Sequence, residues 1–398
     1  MKKKKASLIR RGSPWKEGNH FSLLVNGPVF FTAMLDAVRE AREYILLEMY
    51  LMESGDITTR FINELVKAAE RGVKVYLLID DFGSWKLGHA DRQRINKSKI
   101  EMAFFNPLRY WKWRFNLHRN HRKLLVIDGK TAFTGGAGLT DEFSANDGKS
   151  TYWRETMVQI RGPVTKDWAR SFLNLWKRWS KREASLSPAK NHGTAGIMQG
   201  KVAFFDRRKR HATIRSLISR VRTSKKRVWI MTAYFIPTWK IRRTLAKAAR
   251  KGIDVRIILP GSRTDHPSVR RISQTYYFKL LKSGVKIYEY EPSFLHSKVM
   301  LCDNWVSIGS TNLDRWSLRW NMEANQEVRD NDFAHQVMEM FNDDFQNCTQ
   351  IDLTSWVKRP WSQRIIEYFW EQVMVWSEYF IYTERVKVLK KSKRELLD

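Results

Sequence analysis

An α/β chain of two pseudo-equivalent lobes is the fold this sequence predicts, on three observations. A stretch of the chain recurs: Lys67 to Asp80 (KAAERGVKVYLLID) returns as Lys247 to Pro260 (KAARKGIDVRIILP), 180 positions later. Each copy passes from a helical period with small apolar residues, through a glycine that ends the helix, into a run of β-branched and aliphatic residues that reads as a buried strand. And 398 residues, 43% of them hydrophobic and 13% aromatic, suffice for two domains of about 200 residues that each bury a core.

Taken in order, the chain opens on Lys2 to Lys5, but Arg10, Arg11 and Gly12 interrupt the apolar run that a secretory signal needs, so export is not expected. Tyr44 to Leu51 (YILLEMYL) parallels Val228 to Phe235 (VWIMTAYF), a strand in each half, and alternation of helix and strand argues for α/β architecture. Between the halves, Glu183 to Gly200 (EASLSPAKNHGTAGIMQG) has the Ser, Pro, Gly and Ala content of a linker. The expected organisation is a first lobe over 1–185, a linker over 186–200, a second lobe over 201–350 and an aromatic, basic tail over 351–398.

The charge points to a polyanionic partner: 72 Lys and Arg against 41 Asp and Glu leave +31, which suits nucleic acid or an acidic lipid surface. No run approaches the roughly 18 apolar residues of a spanning helix, so contact with a membrane would be peripheral. Two segments suit that posture by mixing rings with cations. Phe104 to Lys123 interleaves Phe105, Tyr110, Trp111, Trp113 and Phe115 with Arg109, Lys112, Arg114, Arg119 and Arg122; Trp356 to Tyr382 carries Trp361, Phe369, Trp370, Trp376, Tyr379 and Phe380 before a basic run from Lys387 to Arg394. A tail helix packed on the body of the protein is the alternative. Cys302 and Cys348 make no disulfide framework, as in a reducing compartment.

One short pattern occurs once in each half: His121-Arg-Lys123-Leu-Leu-Val-Ile-Asp128 and His296-Ser-Lys298-Val-Met-Leu-Cys-Asp303. In an extended strand residues i and i+2 share a face, so each imidazole emerges beside an ammonium. Both Asp residues fall outside that parity and are expected to be structural more than catalytic. Small residues follow each motif, Gly135-Gly136 and Gly309-Ser310-Thr311-Asn312, where backbone N–H groups can approach a phosphate. Two imidazoles and two ammonium groups meeting across a pseudo-twofold axis suit phosphodiester chemistry without a metal or other cofactor: one His attacks phosphorus, the other protonates the departing alkoxide, and Lys123 and Lys298 stabilise the equatorial oxygens. A zinc site on His118 and His121 lacks a third ligand at a recognisable spacing.

The paired His-x-Lys-x4-Asp motifs resemble the phospholipase D superfamily, over a span from Trp15 to about Phe345. Trp15-Lys-Glu-Gly-Asn19, Gly129 through Gly136, Ile308 to Asp314 and Asn321-Met-Glu-Ala-Asn325 resemble, more narrowly, the short form of bacterial cardiolipin synthases that lacks N-terminal transmembrane helices. The resemblance implies two lobes, each a mixed β-sheet flanked by helices, with the active site at their interface. It implies transfer of a phosphatidyl group to phosphatidylglycerol through a covalent phosphohistidine, with His121 as nucleophile and His296 as general acid or the reverse. It implies catalytic roles for the motif residues His121, Lys123, Asp128, His296, Lys298 and Asp303, and an acid downstream of each motif that orients the opposite histidine, for which Glu155 and Glu323 are the candidates. Gly136, Ser310 and Asn312 are the expected substrate contacts. One position departs from the family, which places Asn where this chain has Gly138, while the second half keeps Asn312. The implied partners are phosphatidylglycerol, with phosphatidylethanolamine as another candidate, and the anionic cytoplasmic face of the cell membrane. A phospholipase D-type hydrolase, a family endonuclease and a catalytically retired scaffold are the competing readings; the aromatic-basic segments favour lipid over nucleic acid.

Overall fold

The computed structural model describes residues 13–361 apart from 110–115, 145–151, 187–192, 206–209 and 316, together with residues 365, 369 and 372. Strands of the first half are β1 (Lys16–Val25), β2 (Tyr44–Met49), β3 (Lys74–Asp80), β4 (Glu101–Phe105), β5 (Leu124–Ile127), β6 (Thr131–Gly135) and β7 (Thr156–Arg161). Those of the second are β8 (Met198–Phe205), β9 (Arg227–Met231), β10 (Phe235–Ile236), β11 (Asp254–Pro260), β12 (Lys286–Tyr290), β13 (Val299–Cys302), β14 (Trp305–Gly309), β15 (Leu313–Asp314), β16 (Glu323–Arg329) and β17 (Cys348–Ile351). β2, β3 and β5 are built mainly on Val, Ile and Leu and, apart from Lys74 at the start of β3, are buried on both faces, as strands under two helical layers must be.

Fifteen of these strands form one mixed sheet in the order β17-β12-β11-β9-β13-β14-β16-β8-β1-β7-β6-β5-β2-β3-β4. Read outward from the antiparallel β1–β8 pair, the two arms repeat the same strands: β7 matches β16, β6 matches β14, β5 matches β13, β2 matches β9 and β3 matches β11. Two lobes are therefore present, but their cores are not separate. One cluster on a single face of the sheet joins Trp168, Phe172 and Trp176 of the helix Thr165–Ser180 to Phe333, Val337 and Phe341 of the helix Asn331–Gln346. The opposite face carries one core per lobe.

The repeated helix-to-strand unit is visible in the backbone. Asp56–Glu70 and Trp239–Arg250 run into Gly72 and Gly252, whose φ of +92° and +85° are the left-handed stop that glycine takes without a Cβ penalty. β8 begins at Met198, inside the stretch read as a linker, and pairs with β16 on its other side.

The interfacial reading needs correction at Phe105, Arg119, Arg122 and Trp356. Phe105, Arg119 and Arg122 are buried, because Phe105 ends β4 in the core and both arginines pair with buried carboxylates, Arg119 with Asp80 at 3.3 Å and Arg122 with Glu48 at 3.0 Å. Tyr110 to Phe115 lie outside the described residues. At the start of the tail, Trp356 is buried against the Tyr277 ring, centroids 4.9 Å apart, and β17 pairs with β12, so residues to 357 belong to the second lobe. Trp361 and Phe369 are exposed; Trp370, Trp376, Tyr379, Phe380 and the basic run lie outside the described residues. Among the described residues no helix is long and apolar enough to cross a membrane.

Candidate active site

Each histidine is held by a carboxylate from the opposite half. His121 Nδ1 lies 3.0 Å from Oε1 and 3.1 Å from Oε2 of Glu323; His296 Nδ1 lies 2.6 Å from Oε2 of Glu155. The backbone enforces this crossing. Met322 N donates to Arg119 O and His121 N to Met322 O, at 2.8 and 2.9 Å, while Arg154 N donates to Phe294 O and His296 N to Arg154 O, both at 2.9 Å. The His-x-Lys segments immediately precede β5 and β13, and each Glu stands at or just before β7 or β16, so the two short bridges align them.

The i, i+2 parity holds in three dimensions. Lys123 Nζ donates to His121 O at 2.8 Å, and Lys298 Nζ donates to His296 O and lies 3.8 Å from Oε2 of Glu155. The residue between them points away: Arg122 to Glu48, and Ser297 Oγ to the Arg154 carbonyl at 3.3 Å. Tyr50 covers one side of the first pair, its ring 4.6 Å from that of His121 and 5.1 Å from Lys123 Nζ. Phe143, Trp153 and Phe294 surround His296 at 5.3–5.7 Å.

Burial dominates the titration of the whole cluster. It pushes the carboxyls of Glu155 and Glu323 up to about 7 and about 8, and the ammoniums of Lys123 and Lys298 down to about 7 and about 8. Burial and the two lysine charges hold both imidazoles well below the ordinary histidine range. Both histidines are thus neutral near pH 7, which leaves a nucleophile its lone pair, and an incoming phosphate anion favours the protonated form of an imidazole that must act as acid.

The other expected residues separate into two groups. Asp128 and Asp303, at φ +52°, accept three backbone N–H groups each: Asp128 from Arg42, Glu43 and Tyr44 at 2.8–3.0 Å, Asp303 from Lys225, Lys226 and Arg227 at 2.8–3.0 Å. They fix the turns after β5 and β13 to the starts of β2 and β9, and the catalytic assignment implied for them is corrected to a structural one. Ser310 is fully buried: its Oγ accepts from Ala324 N at 3.1 Å, its hydroxyl also reaches the Glu323 carboxyl, and its backbone meets the His121 ring, so it braces the His121–Glu323 pair. Gly136 and Asn312 do line the cleft. A Cβ at Gly136 would collide with the Glu155 carboxylate, and the buried Asn312 Nδ2 has no hydrogen-bond partner among the described residues.

Gly138 now has a physical reason. A Cβ there would lie 2.7 Å from both Cβ and O of Leu51, and Leu51 O accepts the Leu139 N–H at 2.9 Å, so this half has no room for the side chain that Asn312 supplies in the other. Three features escape sequence reasoning. Tyr50 gives no motif signal. Arg122–Glu48 and Arg154–Asp344 are ion pairs between distant positions; Arg154 holds Asp344 through Nε and Nη2 at 2.9 and 2.6 Å while Nη1 donates to Glu155 O at 2.8 Å. His118 Nδ1 is 2.8 Å from Trp320 O, and no group of His, Cys, Asp or Glu among the described residues is arranged to hold a metal ion.

His121, Lys123, His296, Gly136 and Asn312 open onto one cleft of about 1150 Å³ between the arms of the sheet. The profile of the cardiolipin synthase, PLD-like domain matches residues 34–176 and 217–345, which contain all four His and Lys positions. The chain belongs to the cardiolipin synthase family. It is 34% identical over 340 residues to cardiolipin synthase A of Pseudomonas putida (strain W619), covering 85% of this chain and 71% of that protein. It is 34% identical over 351 residues to cardiolipin synthase 2 of Bacillus anthracis, covering 86% and 68%. In fold it matches the phosphatidylserine synthase of Haemophilus influenzae, with a TM-score of 0.67 at 13% identity over 94% of this chain and 97% of that one. Membership makes this chain a phospholipase D-superfamily phosphatidyltransferase.

Proposed function

We propose that this family member transfers a phosphatidyl group from a donor phospholipid to a hydroxyl of phosphatidylglycerol at an anionic membrane surface, and that His121 carries the group in between. The observation that supports this best is the crossed His–Glu arrangement, which supplies two equivalent acid-base units in one cleft and therefore suits a two-step displacement. His121 Nε2 attacks phosphorus, the bond to the headgroup oxygen breaks, and His296 gives its proton to that oxygen. The acceptor hydroxyl then returns a proton to His296, its oxygen attacks phosphorus, and the P–N bond breaks with its electron pair returning to His121. Lys123, Lys298 and the amide of Asn312 stabilise the phosphoryl oxygens through both steps. Glu323 and Glu155 fix the ring orientation and support the positive charge that each imidazole gains.

The purified chain incubated with vesicles of labelled phosphatidylglycerol should yield cardiolipin and glycerol. Release of phosphatidic acid alone would establish a hydrolase. A covalent phosphoenzyme trapped at alkaline pH should map to His121 and be lost in His121→Ala; mapping to His296 would reverse the assignment, and mapping elsewhere would refute the mechanism.

A further inference from the structure

The two lips of the cleft come from loops that the internal repeat makes equivalent, yet they differ in chemistry. After β3 the first half presents Phe82 and Trp85; after β11, at the same offset of 180, the second half presents Ser262 and Asp265, with His266 in place of Lys86. Phe82 is 50% exposed, Trp85 67% and Leu108 45%, and all three line the cleft. Large apolar groups gathered at the mouth of a site mark a surface that something covers.

The apolar lip is a rigid one. Asp80 Oδ1 accepts from the backbone N–H groups of Phe82 and Gly83 at 3.0 and 3.1 Å, and Ser84 Oγ donates to Asp80 O at 2.5 Å. Arg92 donates to Ser84 O and Leu87 O, both at 2.8 Å, and Leu108 N donates to Asp81 Oδ2 at 2.9 Å. The rings therefore stand on a turn that is already ordered, so covering them costs little further backbone entropy. Arg109 beside Leu108 is an exposed cation, and Lys86 beside Trp85 is exposed as well, though paired with Glu53 at 3.0 Å. The opposite lip is polar: Tyr234 Oη donates to Asp265 Oδ2 at 2.5 Å, and His266 Nε2 lies 3.7 Å from the same oxygen.

We infer that the Phe82–Trp85–Leu108 lip is the surface on which an anionic phospholipid bilayer docks, and that lipids cross this lip, and not the Asp265–His266 lip, to enter the cleft. The occupant follows from position and charge. The lip is continuous with the cleft that receives the lipid, its rings suit the headgroup level of a bilayer, and its flanking cations suit anionic headgroups. The inference rests on the phospholipid reading of the site.

The test uses the full chain with Cys348→Ser, Cys302 being buried, and one environment-sensitive fluorophore at Trp85→Cys or at His266→Cys. With phosphatidylglycerol vesicles the probe at 85 should brighten and shift to the blue, while the probe at 266 should stay as in buffer. No response at 85, equal responses at both, or the same response at 85 to duplex DNA would overturn the inference. As a second readout, Trp85→Ser with Leu108→Ser should raise the vesicle concentration for half-maximal rate about tenfold and lower the rate on vesicles far more than the rate on detergent-dispersed lipid. Equal loss in both formats would overturn it. If the unsubstituted chain forms no new lipid, the proposed activity fails; if it does and the probe at 85 stays silent, the docking lip alone fails.

Discussion

Glu323→Gln removes the ionisable carboxyl, pushed up to about 8 by burial and therefore ready to ionise once the ring turns cationic, that faces His121 Nδ1 at 3.0 Å, while keeping nearly the same volume in a fully buried position. The resting imidazole is neutral, held low by burial and by the two lysine charges, so the carboxylate contributes most when the ring becomes cationic on attacking phosphorus. That makes the interaction specific to the transition state and the intermediate. Two unit charges about 4 Å apart at an effective dielectric of about 20 interact by about 4 kcal/mol, and a hydrogen bond to a charged group contributes about 1.5–3 kcal/mol net. Taking about 3–4 kcal/mol at about 1.36 kcal/mol per factor of ten, phosphoenzyme formation should slow about 10²–10³-fold with KM changed less than about threefold. An amide that donates to Nδ1 deepens the loss, because it places the ring proton on Nε2, where the lone pair is needed. The assay is a rapid-quench single turnover with lipid labelled at phosphorus, stopped in alkali, with circular dichroism as the fold control. A rate within threefold of the parent, or a loss carried by KM alone, would refute the assignment of Glu323 to the His121 ring.

Lys123 and Lys298 have pKa values depressed to about 7 and about 8; a depressed lysine is charged below its pKa and neutral above it, and Glu155 and Glu323, raised to about 7 and about 8, gain negative charge over the same window, so binding of a phosphate anion to the inactive His121→Ala variant should weaken as pH rises from about 7 to 9, and tighter binding across that window would contradict the role of these ammoniums in phosphate binding. Gly138→Asn should lower the melting temperature instead of restoring a phosphate contact, since its Cβ meets Leu51 at 2.7 Å and overpacking costs about 1–3 kcal/mol; a variant as stable as the parent by calorimetry would show that the Leu51 turn yields. Arg154→Met leaves Asp344 buried without its 2.6 Å partner, and breaking such a pair costs about 3–5 kcal/mol, so the unfolding free energy measured by urea titration should fall by that amount; a fall below about 1 kcal/mol would mean that water reaches the carboxylate.

The sequence made legible whatever is written locally and twice. The His-x-Lys spacing and the glycines that stop the repeated helices are short patterns whose geometry follows from strand parity and capping, whereas Glu155 and Glu323 come forward only through the resemblance to a family. What it could not show depends on side chains that meet only after folding. Phe105 and Arg119 fit an interfacial composition, but burial is decided by β4 and by Asp80, 39 positions away from Arg119. Trp356 likewise opens a tail by composition and closes a lobe by packing on Tyr277. The continuous sheet escapes periodicity because the register of β1 on β8 leaves no trace in either strand alone.

The exchange of carboxylates between the arms has a consequence for how such a molecule is put together. Neither half, taken alone, owns a complete histidine: His121 without Glu323 and His296 without Glu155 are each imidazoles with no anchor. A single half could be competent only in the company of a second, so the present chain is a dimer made permanent by its own peptide backbone. Joining the halves replaces an encounter in solution with a high effective concentration and frees each copy to diverge. Gly138 facing Asn312 and Trp85 facing Asp265 are the marks of that freedom, departures that an obligate pair of identical subunits could not have kept on one side only.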